Sequence, residues 1–298
     1  MDFRRGHLSY FVAVAEEGQI SRAAMKLHIA QPALSHAISI LESELGVQLL
    51  ERHPRGVTLT AAGEVFLEKA RTALATAEDA VLMAQSLARA AEGTIVFGYL
   101  GLPPAYTNQD LIAGFTGAHP DIELSLRELT FPSLPTASWL REVDVAICTT
   151  PAPDPNVRFQ PLRAEPRVVL APNDHPLAHR RELAVADVLD ETFLGFDPSI
   201  DPVWAGFWSL DDHRGRPPAR LISDHVNSPQ QRFATLAAGR GIATAPACHA
   251  AAIANALPNI VAIPLNDAEP GILTLLSRID RHNPLVETVF TTAREVTA

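Results

Sequence analysis

Gln31, Pro32, Ser35 and His36 sit at the start of a stretch whose apolar residues Leu34, Ile38, Leu41 and Leu45 step by four, three and four. That spacing predicts a helix from Gln31 to about Leu45, closed by Gly46. The chemistry at such a helix start is the reading of base edges in a DNA major groove. A glutamine amide bonds adenine bidentately, a serine hydroxyl donates or accepts, and a proline ring offers an apolar face to a thymine methyl. Pro32 is tolerated because the first turn of a helix has no use for its missing N–H. His36 would add a weaker, pH-sensitive contact. Around this start lie Ser21, Arg22, Lys26, Arg52 and Arg55. Arg22 and Lys26 are candidates for phosphate, and Arg52 and Arg55 for phosphate or the minor groove. The alternative for each arginine is a solvated surface charge, and the wing-tip position of Arg55 favours DNA contact.

Other chemistry is weakly represented. There is no Gly-x-Ser-x-Gly elbow, no P-loop and no arguable pair of catalytic carboxylates, so a catalytic site is not expected. His175 and His179 have the i, i+4 spacing of a metal-binding helix, but Pro176 interrupts it and no third ligand is near. No metal or resident cofactor is expected. Gly239-Arg240-Gly241 follows a helical stretch and precedes a strand, the reverse of a phosphate loop, and predicts a helix end and turn. Cys148 and Cys248 are the only cysteines. Two thiols far apart fit reduced, buried spectators better than a disulfide framework or redox pair.

The elements that must position these residues can be traced along the chain. Leu8, Phe11, Val12 and Ala15 predict a short amphipathic helix over 8–17 ending at Gly18. Ser21 is read as the N-cap of a second helix carrying Ala23, Ala24 and Leu27. Two short strands, 47–52 and 56–59, are expected around Pro54-Arg55-Gly56. Three helices and a two-stranded flap describe a winged helix-turn-helix over 1–59. Thr60 then caps a long helix, 60–92. Its small apolar seam Phe66, Ala70, Ala73, Ala77, Val81, Ala84 and Ala88 suits pairing across a dimer.

From Gly93 onward strands alternate with helices. Strands are expected at 95–99, 122–128, 143–148, 166–171, 192–196, 220–224, 242–245, 260–263 and 272–278. Helices are expected at 104–118, 133–141, 184–190, 203–212, 229–238, 246–254 and 284–296. This alternation predicts mostly parallel sheets. There is too much of it for one modest sheet, so two α/β lobes are expected, 93–162 with 268–298 and 163–267. Small molecules bind such folds at the carboxyl ends of strands. The strand ends supply Leu100, Gly101, Leu102 and Pro103, then Thr130 and Phe131, then Thr149 and Thr150. The second lobe adds Phe196, Asp197 and Ser199, then Asn227 and Ser228, then Ala245 and Pro246.

The formal net charge is −10 over 298 residues. Residues 1–60 hold six basic and six acidic side chains, so the whole excess lies beyond them. A neutral head and an acidic body suit a protein that touches DNA with the head alone. No apolar run is long enough for a membrane span, and the N-terminus lacks the apolar stretch of a signal peptide. A cytoplasmic location is expected.

The first 65 or so residues closely resemble the LysR-type transcriptional regulators. The resemblance rests on Ser21-Arg22-Ala23-Ala24, Leu27-His28-Ile29, Gln31-Pro32-Ala33-Leu34-Ser35, Ile38, Leu41-Glu42, Leu45-Gly46-Val47-Gln48-Leu49-Leu50-Glu51-Arg52 and Leu59-Thr60-Ala61-Ala62-Gly63. Sparser matches follow at Asp144-Val145-Ala146-Ile147, Val169-Leu170-Ala171-Pro172, His175-Pro176-Leu177-Ala178 and Ala237-Ala238-Gly239-Arg240-Gly241-Ile242-Ala243. The resemblance implies a winged helix-turn-helix on double-stranded DNA, a linker helix pairing protomers, and a two-lobed domain like a periplasmic binding protein. It also implies a homotetramer, a dimer of dimers, with a small-molecule co-inducer between the lobes. RNA polymerase is a further partner open to such a regulator. It leaves no readable motif, so activator and repressor both stay open.

Three departures matter. Ala30 holds the N-cap position where the family usually has Ser, which should cost the helix about 0.5–2 kcal/mol. His36 stands where the family often has Arg. Gly101-Leu102-Pro103-Pro104 replaces a hydroxyl-bearing helix start, which predicts a less polar mouth for an aromatic or aliphatic acid. The alternatives to a regulator are a solute-binding protein or an enzyme on the same two-lobed scaffold.

Overall fold

In the computed structural model of the protein, residues 5–103, 108–150, 152–217, 221–222 and 226–297 are described. Pro104, the start of the helix expected over 104–118, and part of the strand expected over 220–224 lie outside them. The chain divides into two compact units, Met1–Leu82 and Met83–Ala298. Among the described residues, no helix is long and apolar enough to cross a membrane.

The first unit holds α1 (Arg5–Glu17), α2 (Ile20–Lys26), α3 (Gln31–Leu45) and the antiparallel pair β1 (Leu50–His53) and β2 (Gly56–Leu59). Its core is built by the helical stripes that the spacing predicts. Phe11, Val14, Ala23, Leu34, Ile38 and Leu41 are buried together. Ala70 of the long helix α4 (Ala61–Ala91) is buried with them, and Phe66 meets Phe11 edge-on at 5.3 Å. At about 1.5 Å per residue, α4 is roughly 46 Å long. Thr60 caps it, its Oγ1 accepting the Gly63 N–H at 2.9 Å. Gly46 closes α3 in the left-handed conformation, φ 68°. Ser21, in contrast, does not cap α2. That helix begins at Ile20, the cap residue is Gln19, and no side chain caps it. The Gln19 amide instead donates to the Arg55 carbonyl at 3.1 Å, pinning the turn between the strands.

The second unit contains two principal sheets. Its strands are β3 (Thr94–Leu100), β4 (Glu123–Leu129), β5 (Val145–Thr149), β6 (Val157–Glu165), β7 (Arg167–Pro172), β8 (Phe193–Leu194), β9 (Leu221–Ile222), β10 (Ala243–Pro246), β11 (Ile260–Pro264) and β12 (Gly271–Arg278). Among the described residues one sheet runs β4-β3-β5-β12-β6, a second runs β10-β7-β11, and β8 pairs with β9. The chain crosses between the principal sheets at Pro166 and returns between Pro264 and Gly271. Helices α5 (Gln109–Ala118), α6 (Thr136–Trp139), α7 (Pro202–Trp208), α8 (Asp211–Arg214), α9 (Pro229–Ala237), α10 (Ala250–Ala256) and α11 (Leu285–Thr297) complete it.

The expectation of mostly parallel sheets needs correction. Among the described residues, the parallel strand pairings are those of β4-β3-β5 and the short β8-β9 pair, apart from isolated bridges; β12 is antiparallel to both neighbours, as is β7. Alternation of strands and helices fixes layers but not direction: β7 and β12 take antiparallel neighbours from far away in the sequence, and that pairing leaves no mark on the local pattern. The helices expected over 203–212 and 246–254 are each broken. Leu210, at φ 62°, separates α7 from α8, and a 3-10 turn, Ala247–His249, precedes α10. Over 184–190 there is only a 3-10 turn, Val185–Asp187.

Candidate nucleic-acid interface and ligand cavity

In the first unit, burial of Leu34, Ile38 and Leu41 turns the opposite face of α3 outward. Gln31, Pro32 and His36 are exposed there, and Ser35 is half-buried. Ala30 adopts the extended N-cap conformation without a side-chain bond. The strand pair is fixed beside this face. Arg52 Nη1 donates to Ser35 Oγ at 3.2 Å, and the Val57 N–H donates to the Gly18 carbonyl at 2.8 Å. Gly56 has φ 146°, and a Cβ there would stand 2.3 Å from the Gly18 oxygen, so only glycine permits this approach. One shallow groove is lined by Ser21, Gln31, Arg52 and Arg55 together with Gln19 and His53.

The basic side chains are not equivalent. Lys26 Nζ lies 3.0 Å from a Glu17 carboxylate oxygen and 3.8 Å from one of Glu16. The hydrogen bond and charge of Glu17 raise its pKa. Arg22 pairs with Glu17 at 3.7 Å. Arg55 is exposed, with no ion pair among the described residues. A free guanidinium at the turn is better placed for a phosphate than two cations already neutralised by α1.

In the second unit, parallel β3, β4 and β5 bring their carboxyl ends to one edge, as Leu100, Leu129 and Thr149. A loop at Asn227 and helix α7 close over that edge. The Phe131 N–H donates to the Asn227 carbonyl at 2.9 Å, and Trp204 Nε1 donates to the Thr149 carbonyl at 3.0 Å. Between them lies a cavity of about 80 Å³, several times the roughly 10–15 Å³ that one water needs. Gly101, at φ 72°, meets α9 so closely that a Cβ would lie 3.1 Å from the Pro229 ring.

The cavity walls are apolar and aromatic. Phe131, Phe196 and Trp204 form a mutual set with centroids 5.2–5.3 Å apart. Arg232 is set into this wall. It is 4% exposed, its guanidinium lies 4.1 Å over the Phe196 ring, and none of its three side-chain nitrogens has a hydrogen-bond partner. Burial pushes its pKa down to about 9, so the group is still charged at neutral pH. The cation–π contact returns about 0.5–2 kcal/mol, less than the several kcal/mol that an unpaired buried ion costs. Trp208 Nε1 is a second buried donor on the cavity without an acceptor. His249 also lines the cavity, and loss of water pushes its pKa down to about 4, leaving it neutral. Among the described residues, no Asp or Glu lines this space.

Known proteins match both halves of this arrangement. A model of the bacterial regulatory helix-turn-helix protein, lysR family, matches residues 6–64, and one of the LysR substrate binding domain matches residues 88–298. The chain belongs to the LysR family.

This LysR-family protein is 31% identical over 252 residues to the uncharacterized HTH-type transcriptional regulator YnfL of Escherichia coli (strain K12), covering 83% of each chain. It is 33% identical over 244 residues to the HTH-type transcriptional regulator BenM of Acinetobacter baylyi, covering 81% of this chain and 79% of that one. Full-length CbnR in complex with its target DNA aligns over 99% of this chain and 100% of that chain, at 25% identity and a TM-score of 0.52. The LysR-type chain is thus a DNA-binding transcription regulator with an effector-binding domain, and not an enzyme.

Of the strand-end residues singled out from the regulator's sequence, Leu100, Gly101, Leu102, Phe131, Thr149, Phe196, Ala245 and Pro246 line the cavity. Pro103, Thr130, Asp197, Asn227 and Ser228 do not line it, and neither do Thr150 and Ser199. Several of these hold local structure instead. The Thr130 carbonyl accepts from Trp139 Nε1, Asp197 Oδ1 accepts from the Ser199 N–H, and Ser228 caps α9. Sequence reasoning passed over Arg232, Trp204, Trp208, Phe233 and His249, which also line the cavity. A signal for Arg232 was present: it falls on the buried stripe of α9 with Pro229 and Leu236, at spacings of three and four.

His175 Nδ1 accepts from the Leu177 N–H at 3.3 Å, and among the described residues no three or more His, Cys, Asp or Glu are grouped so that they could hold a metal ion. The two thiols are held protonated. Burial pushes Cys148 strongly upward and raises Cys248 to about 12. A thiol-alkylating reagent at pH 7 is therefore expected to label the folded regulator far more slowly than free cysteine. Labelling at the free-cysteine rate, read by mass spectrometry, would contradict this.

Proposed function

We propose that this LysR-type regulator reads its operator with the outward face of α3 and is switched by an organic anion held in the cavity of its effector domain. Gln31, Pro32, Ser35 and His36 address base edges, Arg52 and Arg55 hold the backbone beside them, and Ser21, Arg22 and Lys26 contribute at the periphery. The functional division is a head over 1–59, a linker helix over 60–92 and an effector domain over 93–298. The middle of α4 carries exposed apolar residues, with Val81 48% exposed, and this supports pairing of protomers through that helix into dimers and a dimer of dimers. Binding of DNA supports a cytoplasmic location, with RNA polymerase as a further partner.

One observation carries the effector assignment. Arg232 is a buried, charged, unpartnered guanidinium on a ligand-sized cavity. Proteins rarely keep such a group without a counter-charge, and a bound carboxylate supplies one bidentately. Closure of the two lobes on that anion would favour one DNA-bound assembly over another, to the extent of its differential affinity for them.

Filling the cavity tests this. Leu102→Trp is expected to lower affinity for any cavity-bound anion at least tenfold, read by calorimetric titration, with thermal unfolding reporting that the fold persists. Unchanged affinity in a folded Leu102→Trp protein would place the effector elsewhere. For the head, Arg55→Ala is expected to weaken binding to all DNA sequences and reduce the salt slope by about 1. An unchanged slope would remove Arg55 from the contacts.

A further inference from the structure

We infer that the ligand of this cavity is a single-ring aromatic monocarboxylate carrying a second hydrogen-bond acceptor. The inference rests on the reading that the effector occupies the cavity, and it narrows the ligand class by three features. First, the cavity has one cation and, among the described residues, no acid. With His249 neutral, its charge is balanced by one carboxylate. A second carboxylate would be buried without a partner, a costly arrangement.

Second, the walls around Arg232 carry a cluster of rings set among the aliphatic side chains Leu100, Leu102, Ile147, Leu170 and Leu273. Phe131, Phe196 and Trp204 all line the cavity and stand at interplanar angles of 38–83° to one another, so the rings do not share one plane. A planar ring satisfies such walls by offset and edge-to-face contact, which a saturated ring of equal size does not. A volume of about 80 Å³ suits one ring rather than a fused system.

Third, the guanidinium fork can take both oxygens of one carboxylate. That leaves the Trp208 indole N–H still unpartnered. An oxygen on the ring, such as a hydroxyl, would satisfy it. The two orphan donors line one cavity and therefore mark two points of one ligand.

The test is calorimetric titration of the full-length protein with benzoate, the three hydroxybenzoates, cyclohexanecarboxylate, phthalate and benzamide. Benzoate is expected to bind at least tenfold more tightly than cyclohexanecarboxylate, phthalate or benzamide, and one hydroxybenzoate isomer at least tenfold more tightly than benzoate. Arg232→Met should equalise benzoate and benzamide. Trp208→Phe, which keeps the ring and removes the N–H, should erase the hydroxybenzoate advantage and leave benzoate affinity within about threefold. Should Trp208→Phe fail to fold, a downfield shift of the Trp208 indole proton on binding hydroxybenzoate to the unaltered protein gives the same answer.

Equal binding of benzoate and cyclohexanecarboxylate overturns the aromatic assignment, and equal binding of benzoate and benzamide overturns the carboxylate. Absence of any hydroxybenzoate advantage, or its persistence in Trp208→Phe, overturns the second acceptor. An aliphatic acid that alone binds, and loses affinity in Leu102→Trp, overturns this inference but keeps the cavity as effector site. If no probe binds in a manner sensitive to Leu102→Trp, the cavity reading itself fails.

Discussion

Replacing Arg232 with methionine is expected to stabilise the ligand-free regulator while removing its affinity for organic anions. Methionine keeps most of the side-chain volume against Phe196 and removes a buried charge that has no hydrogen-bond partner. An uncompensated buried ion costs about 3–5 kcal/mol, and its relief is offset by the lost cation–π contact of about 0.5–2 kcal/mol. For a domain of this size, each kcal/mol moves Tm by roughly 2–4 °C. The pH dependence has a defined sign. Burial lowers the folded pKa of Arg232 to about 9, from an unfolded value near 12.5. The penalty is thus fully present below pH 9 and fades as pH rises above it, where the unfolded state binds the extra proton. The difference in Tm between variant and native protein should be largest at pH 7–8 and narrow above pH 9. A variant less stable than the native protein at pH 7 would mean that Arg232 supports the fold rather than the ligand. Gain of stability with loss of binding is the usual signature of a residue kept for function.

Gln31→Ala is expected to have the largest effect on sequence reading. Gln31 is exposed at the first position of α3, beside Arg52 and Arg55 in one groove. Loss of a bidentate base contact is worth about 1–3 kcal/mol, or roughly 5- to 150-fold in discrimination at one base pair. Affinity for the native operator should fall by that factor, and affinity for an operator altered at the contacted pair should stay nearly constant. The salt slope should not change, because no phosphate contact is lost. Equal weakening on both operators would turn Gln31 from a base reader into a positioning residue. The missing side-chain cap at Ala30 makes a related expectation: Ala30→Ser should stabilise the head by about 0.5–2 kcal/mol, measured by thermal unfolding.

The head was legible in the sequence because its rules are local. Pro32 near the start of α3, Gly46 at its end and the stripe Leu34, Ile38 and Leu41 each state a boundary or a face. The exception was the cap of α2. Ser21 has the right chemistry, but the turn is held from outside by Gln19 reaching the Arg55 carbonyl, a contact between residues far apart in sequence. In the effector domain, strand positions were legible and directions were not, since the alternating pattern is the same for parallel and antiparallel neighbours. Strand β6 was missed altogether. Pro161 interrupts it, and the structure accommodates the proline on an edge strand at a register shift opposite Leu273 and Thr274. The cavity was half legible. Strand ends predicted Gly101, Leu102 and Thr149 and two rings of the wall, Phe131 and Phe196, but the tryptophans of that wall come from α7, where Trp204 and Trp208 share a face at i, i+4. Arg232 was the most informative residue and the least expected, because a charged side chain on a buried stripe is the point where the pattern yields to the ligand.

The most direct test of the account is footprinting of the native protein and of Arg232→Met on the DNA upstream of its own gene, with and without the aromatic acid that binds most tightly. The account predicts that the acid changes the length or phasing of the native footprint. It also predicts that Arg232→Met protects the same DNA with a footprint that the acid leaves unaltered. An acid-induced change of equal size in both proteins, or none in the native protein, would contradict it.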